Sequence, residues 1–412
     1  MDEEVLKQRA LHYHEFPTPG KLGVHVTKPT NSQDDLSLAY SPGVAEPVLS
    51  IAENPDHVYR FTSKGNLIAV ISNGTAVLGL GDVGPLASKP VMEGKAVLFK
   101  QFADIDVFDI EIDTQDTDAF ISTVKNISPT FGGINLEDIK APECFVIEQA
   151  LMSQLQIPVF HDDQHGTAIV VAAGLLNALE LQHKKLQDAR IVCIGAGSAG
   201  IASMRLLAAL GADMQNMLLL DSKGVIHSGR DDLNTYKLPF ARETHCRTLE
   251  DAMVDADVFI GVAKPDLLNV PLLQSMAPKP IIFALSNPNP EIRPELAIQA
   301  REDLIIATGR SDYPNQVNNV LCFPYIFRGA LDVRATAINQ AMQIAAVDAI
   351  RMLVHDPVPK EVIANYPGVS HWDFGAHYIL PKPIDPRLRE RVPVAVANAA
   401  IASGVSRTAT YL

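Results

Sequence analysis

Residues 190–210 read RIVCIGAGSAGIASMRLLAAL, and this stretch decides the fold of the second half of the chain. The apolar run RIVCI predicts a buried strand, and IASMRLLAAL predicts a helix. The turn between them follows the pattern G-x-G-x-x-G, whose glycines permit a tight turn, close approach of backbone N–H groups to a pyrophosphate, and close packing of the helix on the strand. A glycine-rich turn of another α/β fold is the alternative. The context favours a dinucleotide site formed by Gly195, Ala196, Gly197, Ser198, Ala199 and Gly200.

The next predicted strand, MLLLD, ends at Asp221, twenty-one residues after Gly200. An acidic residue at this place usually accepts hydrogen bonds from a free ribose 2′-hydroxyl, and it would repel the 2′-phosphate of NADP. Ser222 and Lys223 follow directly, and their hydroxyl and ammonium groups can bind that phosphate if Asp221 points away. These residues alone therefore leave NAD and NADP both open.

Three more short apolar runs extend this pattern, at residues 256–263, 280–287 and 303–309. Runs that are apolar throughout are typical of parallel strands covered on both faces. We therefore predict an α/β protein with a Rossmann-type, doubly wound nucleotide-binding domain over residues 161–380. A separate α/β domain over residues 1–160 precedes it, and a helix with the start of a linker follows over residues 381–412, in a helical C-terminal region.

Within the first domain, Asn73-Gly74 separates the runs NLIAVIS and TAVLGLG. Asn-Gly between two β-rich runs predicts a hairpin with a type I′ turn. Further on, GKAVLFKQFA predicts a helix that begins near Lys95. The dipole at a helix start, and a nearby divalent cation, would lower the pKa of this lysine and make it a general base. A solvated surface lysine is the alternative.

Two pairs of acidic residues follow predicted strands of the first domain. Glu137 and Asp138 come directly after GGINL, and Asp162 and Asp163 follow IPVF. The carboxyl ends of parallel strands form the edge where α/β folds bind ligands, and oxygen-only ligands suit Mg²⁺ or Mn²⁺ better than zinc. Asp138 and Asp163 also precede predicted helices, so helix capping is an equally good interpretation.

Composition and charge exclude several classes of protein. The 412 residues carry a net charge of −14, which argues against nucleic-acid binding and against anionic membrane surfaces. The N-terminus lacks the pattern of a signal peptide, and no stretch reaches the ~18 apolar residues of a membrane span. The four cysteines are scattered, so neither a disulfide framework nor a zinc site is expected. We expect a cytoplasmic protein.

Six motifs, in order along the chain, resemble those of malic enzymes. They are SLAYSPGVAEP, the stretch 73–100, INLEDIKAP, FHDDQHGTA, LSNPNPE and the stretch 309–332. The similarity runs from about Phe16 to Ser403, and the finer match is to the large bacterial NADP-dependent subclass, whose catalytic part precedes a phosphotransacetylase-like domain. The resemblance implies that this chain is the catalytic part of a longer enzyme, with a complete short-form malic enzyme as the alternative.

The resemblance also implies roles for single residues. Tyr40 matches the general acid and Lys95 the general base. Asn287 and Asn319 match asparagines that contact substrate and nicotinamide. The implied metal ligands are Glu137, Asp138 and Asp163, with Asp162 behind them to orient Lys95 or a ligand. The animal and plant branch has an arginine that binds a malate carboxylate, and this chain has Ala76-Val77 at that place.

The implied reaction is oxidative decarboxylation of (S)-malate to pyruvate and CO₂, with a divalent cation, Mg²⁺ or Mn²⁺. NADP⁺ is expected to be preferred because of Ser222-Lys223 and the subclass, with NAD⁺ still possible. The family further implies a homodimer of the catalytic part, a larger oligomer when the C-terminal domain is present, and no response to acetyl-CoA without it. The alternatives are a malolactic enzyme, a metal-independent amino-acid dehydrogenase and a non-catalytic nucleotide-sensing module.

Overall fold

A computed structural model gives the structure of the protein and describes residues 3–77 and 79–411. These residues form two sheets. The first sheet contains four parallel strands, β1 (Leu67–Ser72), β2 (Asp106–Glu111), β3 (Gly133–Leu136) and β4 (Val159–His161), in the order β2-β1-β3-β4. Because all four strands run in the same direction, the residues that follow them gather at one edge of the sheet.

The second sheet contains the strands β5 (Ile191–Ile194), β6 (Met217–Asp221), β7 (Gly224–Val225), β8 (Val258–Gly261), β9 (Ile281–Ala284) and β10 (Ile305–Thr308). Their order is β10-β9-β8-β5-β6-β7, and every pair is parallel except β6 with β7. The chain order reverses between β5 and β8, and ligands of such sheets bind in the crevice outside this point. The prediction of a doubly wound domain is confirmed.

Helices cover both sheets and form the C-terminal region. The α-helices are α1 (Glu3–Glu15), α2 (Gln33–Ala39), α3 (Ala45–Glu53), α4 (Val58–Phe61), α5 (Pro85–Ala103), α6 (Thr117–Ile127), α7 (Glu143–Gln154), α8 (Asp162–Gln182), α9 (Ser198–Ala209), α10 (Leu249–Met253), α11 (Val270–Ser275), α12 (Pro294–Ala300), α13 (Phe323–Asp332), α14 (Gln340–Met352), α15 (Lys360–Ile363) and α16 (Arg387–Ala402). None of them, within the described part of the chain, has the length and apolar character needed to cross a bilayer.

One continuous apolar core joins the two sheets. It includes strand residues of both sheets and the buried faces of α8, α13, α14 and α16. Aromatic contacts connect the first sheet's helix α5 to α13, because the ring of Phe99 lies 4.8 Å from that of Phe323 and 5.4 Å from that of Phe327. These contacts fix the edge of the first sheet relative to the C-terminal helices.

The predicted hairpin after β1 is wrong. β1 is buried along its whole length between two parallel neighbours, β2 and β3, so its apolar run belongs to the centre of a sheet. The chain after Asn73-Gly74 folds back through a loop in which Val77 bridges Gly81, and it then enters α5. Leu78, part of the expected second strand, lies outside the described residues.

The N-terminal segment differs from the rest in its burial. None of residues 4–66 is buried, and the segment carries many exposed apolar side chains. They include Val5, Leu6, Leu11, Tyr13, Phe16, Leu22, Val24, Val26, Leu36, Leu38, Tyr40, Val44, Val48, Leu49 and Phe61. Apolar side chains that recur in this way over one segment mark an interaction surface.

Candidate active site

The two pairs of acidic residues meet at the carboxyl edge of the first sheet. Glu137 and Asp138 follow β3, while Asp162 and Asp163 begin α8 directly after β4. Each of Glu137, Asp138 and Asp163 offers one oxygen within 4.8 Å of those of the other two. Asp138 adopts a left-handed conformation (φ 52°), and its backbone N–H donates to Asp163 Oδ2 at 2.8 Å. This turn holds the carboxylates of two different strands together.

The chemistry of this cluster fits a hard divalent cation. Burial raises the pKa of Glu137; Lys95 lowers it and Asp163 raises it, and the net direction is up. Burial likewise raises the pKa of the Asp163 carboxyl, with Lys95 lowering it and Asp162 raising it further. Several ionised carboxylates this close repel one another, and a cation held by oxygens alone would offset that repulsion. No cluster of sulfur or imidazole ligands accompanies this site among the described residues.

Lys95 lies beside these carboxylates, in a setting that differs from the prediction. Helix α5 begins at Pro85, so Lys95 is in its middle rather than at its start. Its ammonium is 2.7 Å from Asp162 Oδ2 and 3.0 Å from Glu137 Oε1, and it lies over the ring of Phe323. Burial lowers the pKa of Lys95, but these two carboxylates more than offset the effect, and the net pKa is raised. The expected lowering of the pKa by a helix start is therefore wrong.

Asp162 connects this lysine to the second half of the chain. The carboxylate is fully buried, and its Oδ2 accepts hydrogen bonds from Lys95 Nζ and, at 2.5 Å, from Asn319 Nδ2. A side chain at Gly166, one turn further along α8, would overlap the Asp162 carboxylate. The geometry agrees with a role for Asp162 in holding other groups rather than in binding the cation itself.

The glycine turn lies at the switch point of the second sheet, between β5 and α9. Gly195 has a φ of 116°, and a Cβ there would lie 2.7 Å from the carbonyl oxygen of Val262. Gly200 packs on the backbone of Gly195, so the start of α9 comes close to the strand. By contrast, a Cβ on Gly197 would meet open space. The turn thus has the shape that a pyrophosphate requires at a helix N-terminus.

Asp221, at the end of β6, is held by basic side chains. Its carboxylate accepts two hydrogen bonds from Arg230, at 2.8 and 2.9 Å, and one from Lys237 at 2.7 Å. The backbone N–H of Lys223 donates to it as well, whereas the Lys223 ammonium binds Asp232. Burial raises the pKa of Asp221, and these hydrogen bonds more than offset it and hold the pKa at about 2. Asp221 is therefore ionised but neutralised by its neighbours.

Asn287 lies in the loop after β9, close to two other loops. A Cβ on Gly309 would lie 3.2 Å from Asn287 Oδ1, and a Cβ on Gly79 would lie 2.9 Å from its backbone oxygen. Gly79 belongs to the first half of the chain and Gly309 follows β10. Asn287 is therefore positioned where the two halves of the molecule meet.

Comparisons with known proteins agree with this geometry. The model of the malic enzyme N-terminal domain matches residues 19–152, and that of the malic enzyme NAD-binding domain matches residues 164–373. The chain belongs to the malic enzyme family. It is 61% identical to an NADP-dependent malic enzyme of Halomonas elongata, over 98% of this chain and 96% of that protein.

Other relatives of this chain are longer. It is 57% identical to an NADP-dependent malic enzyme of Escherichia coli, and the match covers 98% of this chain but only 54% of that protein. The chain thus spans about half the length of such relatives. A crystal structure of malic enzyme from Pyrococcus horikoshii matches with a TM-score of 0.90 and 44% identity, over 98% of this chain and 92% of the other.

Tyr40, the expected general acid, is exposed in this structure. It ends α2, and its side chain is 76% exposed. Within the described residues, no hydrogen bond joins its hydroxyl to Lys95 or to the acidic residues. The segment that carries Tyr40 is the same one that exposes its apolar side chains.

The sequence analysis missed several residues around the candidate site. Arg230 and Lys237 hold Asp221, and the only signal was two basic residues in the loop that follows it. Glu148 accepts from His165 Nε2 at 2.8 Å and from the backbone N–H of His161, and it thereby fixes the start of α8. A fourth missed residue, Glu291 of the LSNPNPE motif, is fully buried between two loops of the second sheet.

Proposed function

We propose that this chain catalyses the oxidative decarboxylation of (S)-malate to pyruvate and CO₂ with reduction of NADP⁺. The observation that carries the proposal is the meeting of a three-carboxylate cluster with a buried lysine, linked through Asp162 and Asn319 to the half of the chain that holds the glycine turn. A cytoplasmic location is part of the proposal, because a nicotinamide cofactor that is continually reoxidised is held inside the cell.

Glu137, Asp138 and Asp163 are the proposed ligands of Mg²⁺ or Mn²⁺. When bound there, such a cation acts as a Lewis acid towards the substrate oxygens and lowers the pKa of Lys95 by its charge. The ionised form of the carboxylates is stabilised in turn, since the cation offsets the repulsion that raises their pKa values.

Lys95 is the proposed general base. Its ammonium is held in one position by Asp162 and Glu137, and that position is next to the cluster on which malate would bind. From there its amine form takes the proton of the malate C2 hydroxyl as the hydride leaves C2 for the nicotinamide. Asn287 and Asn319 are the proposed contacts to substrate and nicotinamide, and both side chains lie on the dinucleotide half of the chain.

Tyr40 is the proposed general acid, which protonates C3 of enolpyruvate after CO₂ has left. Its side chain is exposed in a single chain, which supports a role at the site of a second subunit. We propose that the chain forms a homodimer through the exposed apolar side chains of residues 4–61, and that this contact brings Tyr40 to a site that contains Lys95. Burying such a surface against a second copy is favourable by roughly 25 cal/mol for each Å² of apolar area.

NADP⁺ is the proposed cofactor, with the glycine turn as its pyrophosphate site. Asp221 would repel a 2′-phosphate if it were a free carboxylate, but Arg230 and Lys237 neutralise it. Arg230 and Lys237 thus lie where the 2′-phosphate of a dinucleotide on this fold is expected, with Ser222 and Lys223 beside them. Asp232 also pairs with Arg230 and Lys223, so the three basic and two acidic side chains leave one net positive charge. This arrangement supports NADP⁺ over NAD⁺ more strongly than the Ser-Lys pair does alone.

One initial-rate experiment tests the proposal. Malate is supplied with NADP⁺ or NAD⁺, before and after removal of metal by EDTA, and nicotinamide absorbance and pyruvate are followed. We expect activity that disappears with EDTA and returns with Mn²⁺, that is absent in Asp163→Asn, and that is retained in Asp118→Asn, an exposed acid of α6. Lactate without net reduction of cofactor would instead indicate a malolactic enzyme. Activity that survives EDTA, or cofactor binding without turnover, would contradict the proposal.

A further inference from the structure

Glu291 is a buried carboxylate that joins two loops at the carboxyl edge of the second sheet. Its Oε1 accepts a hydrogen bond from the backbone N–H of Ala263, and its Oε2 accepts one from the backbone N–H of Ser286, both at 3.1 Å. Ala263 follows β8, and Ser286 follows β9. A Cβ on Gly261 would lie within 2.7 Å of the Glu291 side chain. The absence of a side chain at Gly261 therefore provides the space that this carboxylate fills.

The two loops that Glu291 joins serve different ends of the dinucleotide crevice. The loop after β8 lies against the glycine turn, because Val262 packs on Gly195 and Gly200 and its N–H donates to Ile194. The loop after β9 carries Asn287. Backbone hydrogen bonds also join the second loop to the first, from the N–H of Leu285 to Gly261 and from the N–H of Leu268 to the Glu291 carbonyl. The Glu291 carboxylate adds a side-chain tie at Ser286, directly before Asn287.

We propose that Glu291 is a positioning residue, which sets the distance between the pyrophosphate end of the crevice and the Asn287 loop at its nicotinamide end. The carboxylate matches this task because two acceptor oxygens on one rigid group bind two backbone donors from different strands. An ionised acceptor makes a stronger hydrogen bond to a backbone N–H group than a neutral acceptor does. The inference rests on the proposed function and extends it, since it assigns the alignment of the nicotinamide to a residue whose two carboxylate oxygens are already bound by backbone N–H groups.

Glu291→Gln tests the inference with little change in volume. One acceptor oxygen becomes an amide NH₂, which faces a backbone N–H and breaks one of the two ties. We expect kcat to fall about 10–100-fold, because a misplacement of about 1 Å in a reacting group can cost that much. The isotope effect on malate deuterated at C2 should rise, since hydride transfer becomes slower. Gly261→Ala, which pushes on the same carboxylate, should give the same signature, and Glu295→Gln, an exposed residue of α12, is the control.

Binding measurements separate this inference from the proposed function. Calorimetry without malate or metal compares NADP⁺ with 2′,5′-ADP, which lacks the nicotinamide. We expect Glu291→Gln to weaken NADP⁺ by about 3–10-fold and 2′,5′-ADP by less than about twofold, since only the nicotinamide end shifts. This binding result does not depend on malate being the substrate. If the unaltered chain did not turn malate over, the proposed function would be contradicted, but the inference about Glu291 would not.

Three results would overturn the inference. One is a folded Glu291→Gln protein with unchanged kcat, isotope effect and NADP⁺ affinity. Another is an equal loss of affinity for both ligands, which would mean that the residue supports the domain as a whole. The third result is measured on the unaltered chain, so it can be obtained even if the variants do not fold. Rapid hydrogen exchange at the amides of Ala263 and Ser286 in the folded protein would show that the carboxylate does not hold them.

Discussion

Replacing Asp162 by asparagine should separate catalysis from metal binding. The carboxylate is fully buried and accepts from Lys95 and Asn319 with the same oxygen, Oδ2. An asparagine oxygen at that place can keep both hydrogen bonds, but it removes the negative charge that faces the Lys95 ammonium. Lys95 would then retain Glu137 as its ion-pair partner, 3.0 Å away.

The size of the effect follows from the lost charge. The Lys95 ammonium stays charged, so its hydrogen bond to the new amide oxygen remains charge-assisted, and the loss is the attraction between two close opposite charges, about 1.5 kcal/mol or more. Because this contact fixes the proposed base, we expect kcat to fall by about 10–100-fold, the range also found for residues that orient ligands of a metal site. The proposed ligands Glu137, Asp138 and Asp163 are untouched, so Mn²⁺ affinity should fall much less than it does in Asp163→Asn.

Isothermal titration with Mn²⁺ and steady-state rates with malate measure the two quantities on the same preparations. Asp163→Asn should lose Mn²⁺ affinity, and Asp118→Asn should change neither quantity. A loss of Mn²⁺ affinity in Asp162→Asn as large as that in Asp163→Asn would make Asp162 a ligand and refute the reasoning. An unchanged kcat would show that the position of Lys95 does not depend on this carboxylate.

Two further predictions concern the cofactor and the subunit contact. Arg230→Gln should lower the ratio of kcat/KM for NADP⁺ over NAD⁺ by about 10-fold or more, because it removes a cation and frees Asp221 to repel the 2′-phosphate; an unchanged ratio would exclude this arginine from cofactor selection. Tyr40→Phe and Lys95→Ala should each be inactive alone. When the two variants are unfolded and refolded together, the mixture should regain up to about a quarter of the activity. The reason is that a mixed dimer has one site with both residues intact if Tyr40 acts across the dimer. No recovery, in a mixture shown to contain mixed dimers, would mean that both residues act within one chain.

Much of the fold could be predicted from local pattern. The glycine turn and the apolar runs around it indicate parallel strands by their own composition, and the structure confirms them. The acidic pairs could be placed together because residues that follow parallel strands share one edge. The hairpin prediction failed for the opposite reason: Asn73-Gly74 has the local signature of a tight turn, but the pairing of β1 is decided by β2 and β3, whose residues lie far along the chain.

The charges of the site could not be predicted in the same way, and Lys95 and Asp221 show why. For Lys95, the sequence indicated a helix start that would lower the pKa of the lysine. For Asp221, it indicated a free carboxylate that would repel a phosphate. The structure places opposite charges beside both. Asp162, which pairs with Lys95, is 67 residues away in sequence, and Arg230, which pairs with Asp221, comes from the next loop. A helix dipole contributes at most about 1 kcal/mol at an exposed end, which is less than the Coulomb attraction of about 4 kcal/mol between opposite unit charges 4 Å apart at the effective dielectric constant of a protein.

The same comparison explains how Asp221 can belong to an NADP site. In isolation the charge of Asp221 argues for NAD, since a carboxylate accepts a hydrogen bond from a free ribose 2′-hydroxyl. In the structure, Arg230, Lys237 and Lys223 carry three positive charges against the two negative charges of Asp221 and Asp232, so one net positive charge is left for a proposed 2′-phosphate. We therefore expect the cofactor preference of this chain to follow the net charge of the group around Asp221. On this reasoning, substitutions at Arg230 or Lys237 should change the preference as much as substitutions directly after β6.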